Sequence, residues 1–88
     1  MPFWVYVLKS QSTGKLYKGQ THDLDRRVSE HNSDLGKTRF TRNHPGPWTL
    51  VHSQQFATRA EAMKRENWLK SGHGRDWLNE LLDAKETP

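Results

Sequence analysis

Residues 3 to 8 are apolar in both alternating phases: Phe3, Val5 and Val7 in one, Trp4, Tyr6 and Leu8 in the other. A strand with two apolar faces needs cover on both, so FWVYVLKS (3–10) reads as a central strand. QSTG (11–14) is a turn signal and KLYKG (15–19) a short second strand, so residues 3–19 predict a β-hairpin. With a four-residue loop, Ser10 pairs with Lys15, Tyr6 faces Gly19 and Leu8 faces Tyr17. Tyr6 and Tyr17 then become diagonal neighbours on one face. A loop one residue longer or shorter would put them on opposite faces.

The period then turns helical. Leu24, Arg27, Val28 and His31 lie at i, i+3, i+4 and i+7, behind Asp23 or Thr21 as N-cap. This helix should fade over 32–36. Residues 34–47, DLGKTRFTRNHPGP, read as an irregular basic loop, and WTLVHSQQF (48–56) as a third strand. Thr58 and Glu61 have the spacing of a capping box, opening a helix that runs to about Lys70 and stops at Ser71-Gly72. A last helix, roughly 74–84, offers Trp77, Leu78, Leu81 and Leu82 to the core, with residues 83–88 expected to fray. The expected fold is α+β, a three-stranded antiparallel sheet flanked by helices in the order β-β-α-β-α-α. It is expected to form one domain with its core in residues 3–82.

Composition narrows the chemistry. Eighty-eight residues leave no room for a catalytic domain beside a separate recognition domain. No cysteine is present, which excludes disulfides, thiolate zinc sites and a cysteine nucleophile. No apolar run approaches a membrane span, and the amino terminus lacks the basic lead-in and cleavage site of a signal peptide, so a cytoplasmic chain is expected. Net charge is +4, and between Asp34 and Glu61 there is no acidic residue. That window holds Lys37, Arg39, Arg42 and Arg59, a concentration of like charge that a bound polyanion would relieve.

Several residues stand where chemistry could use them. Glu66 shares a helical face with Ala62, Met63 and Leu69. A carboxylate there either reaches out to solvent or points into a cleft, where it could hold Mg²⁺ completed by water and phosphate oxygens. Arg27 lies among Leu24, Val28 and His31. Either its stem covers the core or its guanidinium is fixed over the sheet to clamp a phosphate. His31 alone would read as a core histidine, and Tyr6 and Tyr17 as core tyrosines. Gly19 opposite Tyr6 leaves room above the sheet.

Taken in order, Trp4-Val5-Tyr6, Tyr17-Lys18-Gly19, Arg27, His31 and Glu66 resemble the motifs of the GIY-YIG nuclease domain, most closely its small stand-alone bacterial members. The resemblance covers roughly residues 3–82. It departs from the pattern at Trp4, which replaces a glycine, and at Lys18, which replaces an apolar or small residue. A late asparagine of the family has no secure counterpart, Asn79 being one candidate. The resemblance implies an endonuclease that hydrolyses phosphodiester bonds in DNA, structure- or backbone-directed, in DNA processing or repair. It implies a catalytic set of Tyr6, Tyr17, Arg27, His31 and Glu66, with one Mg²⁺ or Mn²⁺ on Glu66. Either tyrosine could orient or deprotonate the attacking water. Nucleic acid, DNA in preference to RNA, is the expected partner, contacted by Lys18, Lys37, Arg39, Phe40 and Arg42. Two alternatives stand beside this: a nucleic-acid-binding module that cleaves little or nothing, and a subunit that takes its specificity from a protein partner.

Overall fold

In the computed structural model, which describes residues 2–32 and 47–86, β1 (Phe3–Ser10) is the central strand of a three-stranded antiparallel sheet. It lies between β2 (Leu16–Thr21) and β3 (Trp48–Phe56), in the order β2-β1-β3. The turn is the four-residue one. Ser10 N–H donates to the Lys15 carbonyl at 2.9 Å, and Gly14 takes the left-handed conformation, φ 77°. Tyr6 therefore stands opposite Gly19, and Leu8 opposite Tyr17. The β1–β3 ladder shifts register between Val7 and Leu8. Val7 pairs with His52 and Leu8 with Leu50, leaving Val51 as the extra residue of a bulge.

Three helices follow from their caps among the described residues. Helix α1 (Leu24–His31) is capped by Asp23, whose carboxylate accepts from Arg26 N–H at 3.2 Å. Thr21 instead exchanges hydrogen bonds with the Asp23 backbone. Helix α2 (Arg59–Lys70) opens on Thr58, whose hydroxyl oxygen accepts from Glu61 N–H. That hydroxyl donates to the Glu61 carboxylate at 3.0 Å, so the box closes on the side chain of its own cap. Helix α3 (Gly72–Glu86) starts two residues earlier than its apolar pattern suggests and continues to Glu86. Ser71 explains the start. It ends α2, and its side-chain oxygen then accepts from Gly74 N–H at 3.2 Å. A Cβ on Gly74 would collide with the Trp68 carbonyl, so a glycine lets α3 turn back this tightly.

The two faces of β1 carry two cores. Val5 and Val7 pack with Ala62 and Leu69 of α2 and Leu78 and Leu82 of α3. Tyr6, Leu8 and Trp48 pack with Tyr17, Leu24 and Val28, under α1. The apolar stripe expected on α2 is narrower than its sequence suggests: Met63 is 45% exposed. Arg65 takes part in the cover instead. Its guanidinium lies 4.2 Å from the Trp68 ring centre and 4.8 Å from that of Trp77, and donates to Gln54 at 2.9 Å. No described helix is long and apolar enough to cross a membrane.

One side chain ties α1 to the sheet. The Asn32 amide donates to the Trp48 carbonyl at 2.9 Å and its oxygen accepts from Trp48 N–H at 2.7 Å. Asn32→Ala removes two hydrogen bonds from the main chain of a residue that is itself buried. Asn32→Ala should lower the free energy of urea unfolding by about 2 kcal/mol, with an unchanged far-ultraviolet circular dichroism spectrum.

Candidate active site

Four of the five residues singled out from the sequence meet on the α1 face of the sheet. Tyr6 is almost wholly buried, and its hydroxyl lies 3.0 Å from His31 Nε2. Ring centres of Tyr6, Tyr17 and His31 are 6.1, 5.8 and 4.7 Å apart in the three pairs. Arg27, one turn before His31, hydrogen-bonds the Tyr6 phenol, which also interacts with Tyr17. Its guanidinium lies 3.6 Å from Glu30, and its side chain is 27% exposed, so it reaches the edge of the cluster. Its neighbour Arg26 is exposed, as expected for a side chain about 100° round the helix.

Gly19 makes this meeting possible. A Cβ at that position would stand 2.6 Å from the Tyr6 oxygen and 3.1 Å from the Tyr17 ring. The phenol of Tyr6 thus occupies the space that a side chain opposite it would fill.

Protonation follows from burial. Burial holds the Tyr6 phenol well above its ordinary pKa, against the opposing hydrogen bond and charge of Arg27. Burial, and then the Arg27 charge, push His31 down to about 4, against the pull of Glu30. Both groups are neutral at pH 7. Arg27 can only donate, so the Tyr6 oxygen accepts from it and the Tyr6 hydroxyl donates to the Nε2 lone pair of His31.

Glu66 is placed differently. It sits on α2, over the opposite face of the sheet, with its side chain 17% exposed and its carboxylate 3.0 Å from Lys70 Nζ. The two faces communicate around the edge strand β2. There a cleft of about 310 Å³ is lined by Leu16, Tyr17, Lys18 and Lys70. Tyr17 enters it from the phenol side, and Lys18 and Lys70 from the α2 side. Lys18 has its pKa lowered by burial and then by the charges of Arg75 and Lys70. A larger cavity of about 370 Å³, beside Phe56, Glu61, Lys64, Arg65 and Trp68, touches none of the candidate catalytic residues.

The described residues contain no group of three potential metal-ligating side chains. An all-protein cage is therefore not what these residues offer. The single Glu66 carboxylate, already paired with the Lys70 ammonium, fits a cation completed by water and phosphate oxygens. Asn79 is exposed on α3. Lys37, Arg39, Phe40 and Arg42 lie outside the described residues. Sequence reasoning missed Asn32, Lys70 and Arg75. Only Lys70 left a signal, the Glu66/Lys70 spacing of i, i+4.

Residues 2–79 match the family model described as the GIY-YIG catalytic domain, and the chain belongs to that family, whose general activity is that of a nuclease. Within it, the chain is similar to a set of small proteins. It is 44% identical over 66 residues to a UPF0213 protein of Halobacterium salinarum, covering 75% of this chain and 82% of that one. It is 43% identical over 68 residues to a UPF0213 protein of Haloquadratum walsbyi, covering 77% and 73%. The solution NMR structure of a UPF0213 protein from Bacillus halodurans superposes with a TM-score of 0.54 at 36% identity, over 92% of this chain and 85% of that one.

Two outcomes test this geometry. Gly19→Ala should drive the Tyr6 phenol off His31, costing about 1–3 kcal/mol and returning the His31 imidazole shifts in NMR titration toward an ordinary histidine. The second concerns acid. Between about pH 6.5 and about 4 the unfolded chain binds a proton at residue 31 that the folded chain does not. That contribution to stability is complete above pH 6.5 and is lost as pH falls through the window. Between pH 7 and pH 5 the unfolding free energy should drop by about 2 kcal/mol more in the wild type than in His31→Gln.

Proposed function

We propose that this chain is a metal-dependent endonuclease that hydrolyses phosphodiester bonds in DNA, directed by backbone or structure, in DNA processing or repair. The observation that carries the reading is the convergence of two phenols, an imidazole and a guanidinium on one sheet face, with a lone carboxylate across the adjoining strand edge. Family membership supports the nuclease class. The choice of DNA, the metal and the residue roles are the present proposal.

In this reading Glu66 would hold one Mg²⁺ or Mn²⁺, which supplies Lewis-acid polarisation of the phosphate when bound. Arg27, at the exposed edge of the cluster, donates to the phosphate and opposes the negative charge that grows in the transition state. A phosphate there also offsets the guanidinium charge that now disfavours imidazolium at His31. The tyrosines and His31 then work as one unit. The Tyr6 oxygen takes a proton, from the attacking water or from a Tyr17 hydroxyl that has itself taken the water's proton, as the Tyr6 proton passes to His31 Nε2. Burial keeps the unit neutral until a phosphate arrives, so the base develops with substrate in place. Nothing among these side chains is arranged to read base edges, in keeping with recognition of backbone and shape.

The second reading, a nucleic-acid-binding module with little cleavage, draws on one observation: the Glu66 carboxylate is bound by Lys70 and belongs to no group of three ligating side chains among the described residues. One set of assays separates the two. Plasmid, branched and single-stranded DNA are incubated with Mg²⁺ or Mn²⁺, beside Glu66→Gln and Arg27→Gln. The nuclease reading expects chelation and Glu66→Gln each to reduce cleavage to background, and Arg27→Gln to lower kcat by about 100- to 1000-fold. Cleavage that survives both chelation and Glu66→Gln removes the mechanism. Salt-sensitive binding with no cleavage under any condition selects the second reading.

A further inference from the structure

We propose that Lys18, Lys70 and Arg75 form a phosphate subsite on the α2 side of β2, which takes a backbone phosphate of the nucleic acid as the strand crosses the sheet edge. The proposal rests on the nucleic-acid reading above and adds to it a set of cations beyond the phenol cluster. Three observations support it.

The cleft at the β2 edge is lined from both sides of the sheet, with Tyr17 on one side and Lys18 and Lys70 on the other. It joins the phenol face to the α2 face, so a phosphodiester strand serving both faces can pass here.

The cations are then more numerous than the fold requires. Lys18 points toward the helix-covered face, opposite Val7, a position where strands ordinarily carry an apolar side chain. It is partly buried and lies within electrostatic reach of both Lys70 and Arg75. Glu66 neutralises one of the three charges, through Lys70. Two positive charges remain, the half-buried Lys18 ammonium and the Arg75 guanidinium, an arrangement that costs stability unless an anion binds.

The chemistry of the set also suits a phosphate. Lys18 and Lys70 supply mobile point charges with three donors each, and Arg75 a planar fork. Lys70 and Arg75 are exposed and can swing toward a strand without disturbing either core. With Arg27 at the phenol face, the chain would hold the backbone on both sides of β2, leaving the scissile bond at the edge between them.

The test is the salt dependence of binding, measured by fluorescence anisotropy on a labelled DNA duplex in EDTA, where no cleavage intervenes. Lys18→Gln, Lys70→Gln and Arg75→Gln keep much of the side-chain stem and are compared with Lys64→Gln, an exposed cation on α2 outside the cleft. Each subsite variant should reduce the magnitude of the slope of log K against log salt by about 1, the Lys70→Gln/Arg75→Gln pair by about 2, and Lys64→Gln by nothing. Thermal melts identify any variant that fails to fold, and the exposed pair then carries the comparison. Slopes equal to wild type in the subsite variants, or an equal loss in Lys64→Gln, overturn the subsite. If metal-dependent cleavage persists alongside such slopes, the nuclease reading stands without it. Reduced slopes in a chain that cleaves nothing support the subsite and reject the nuclease. A wild-type chain that binds no duplex at low salt overturns the subsite outright.

Discussion

The Tyr6 hydroxyl occupies the space above Gly19, and the rest of the α1 face is arranged around that one buried phenol. Because it is buried there, its oxygen must find a partner inside the protein. His31 supplies the acceptor at 3.0 Å and Arg27 a donor. Both come from one helix, so α1 has to lie across the strand pair with its 27/31 line facing down. Asp23 sets where that helix begins, and Asn32 fixes where it ends by clasping Trp48 on β3. A single donor–acceptor requirement thus links a glycine on β2, a helix phase and the start of β3.

That requirement also sets the electrostatics. Neutral Tyr6 and neutral His31 are what a buried pair allows, and Arg27 carries the charge of the cluster at its rim. Across the sheet the charge is again positive: Lys18 lies within reach of the charges of Lys70 and Arg75, and Glu66 pairs with Lys70. The strand between them is only six residues long and lies at the edge of the sheet. An exposed edge is ordinarily a liability, since its free main-chain groups invite another strand to pair. Lys18 on that edge discourages such pairing, and the same charge serves the proposed passage of a phosphate backbone.

Much of this was legible in the chain. Two-phase apolarity of residues 3–8 fixed β1 as the central strand, and the four-residue turn then placed Tyr6 opposite Gly19 and aligned it with Tyr17. The 24/27/28/31 spacing placed Arg27 and His31 on the inner face of α1. These succeed because local periodicity alone decides them. The α2 stripe was less readable. Its period allowed Met63 inward, but α3 turns back so sharply at Ser71 and Gly74 that Trp68 and Trp77 meet, and Arg65 stacks on both. Asn32 gave no sign of its role, because a side chain that grips main chain sixteen residues away has no periodic signature. The positions of Lys70 and Arg75 beside Lys18 depend on how two helices dock on a strand far earlier in the chain. The basic segment holding Lys37, Arg39, Phe40 and Arg42 lies outside the described residues, and its part in binding stays with the proposal.

The distribution of stability explains why the two halves of the candidate site differ in character. Tyr6, Gly19 and His31 are buried, and the fold depends on their contacts whatever the chain does with nucleic acid. Lys18, Lys70 and Arg75 sit where removing any one would relieve like-charge crowding, and Glu66 offsets the charge of Lys70. Residues of the first kind have a structural reason to be present. Residues of the second kind, a half-buried lysine facing a core and two more cations beside it, gain nothing from packing. The charged β2 edge therefore argues for a bound anion independently of the phenol cluster. The phenol cluster serves folding and the proposed chemistry together, whereas the charged edge makes physical sense with an anion lying across it.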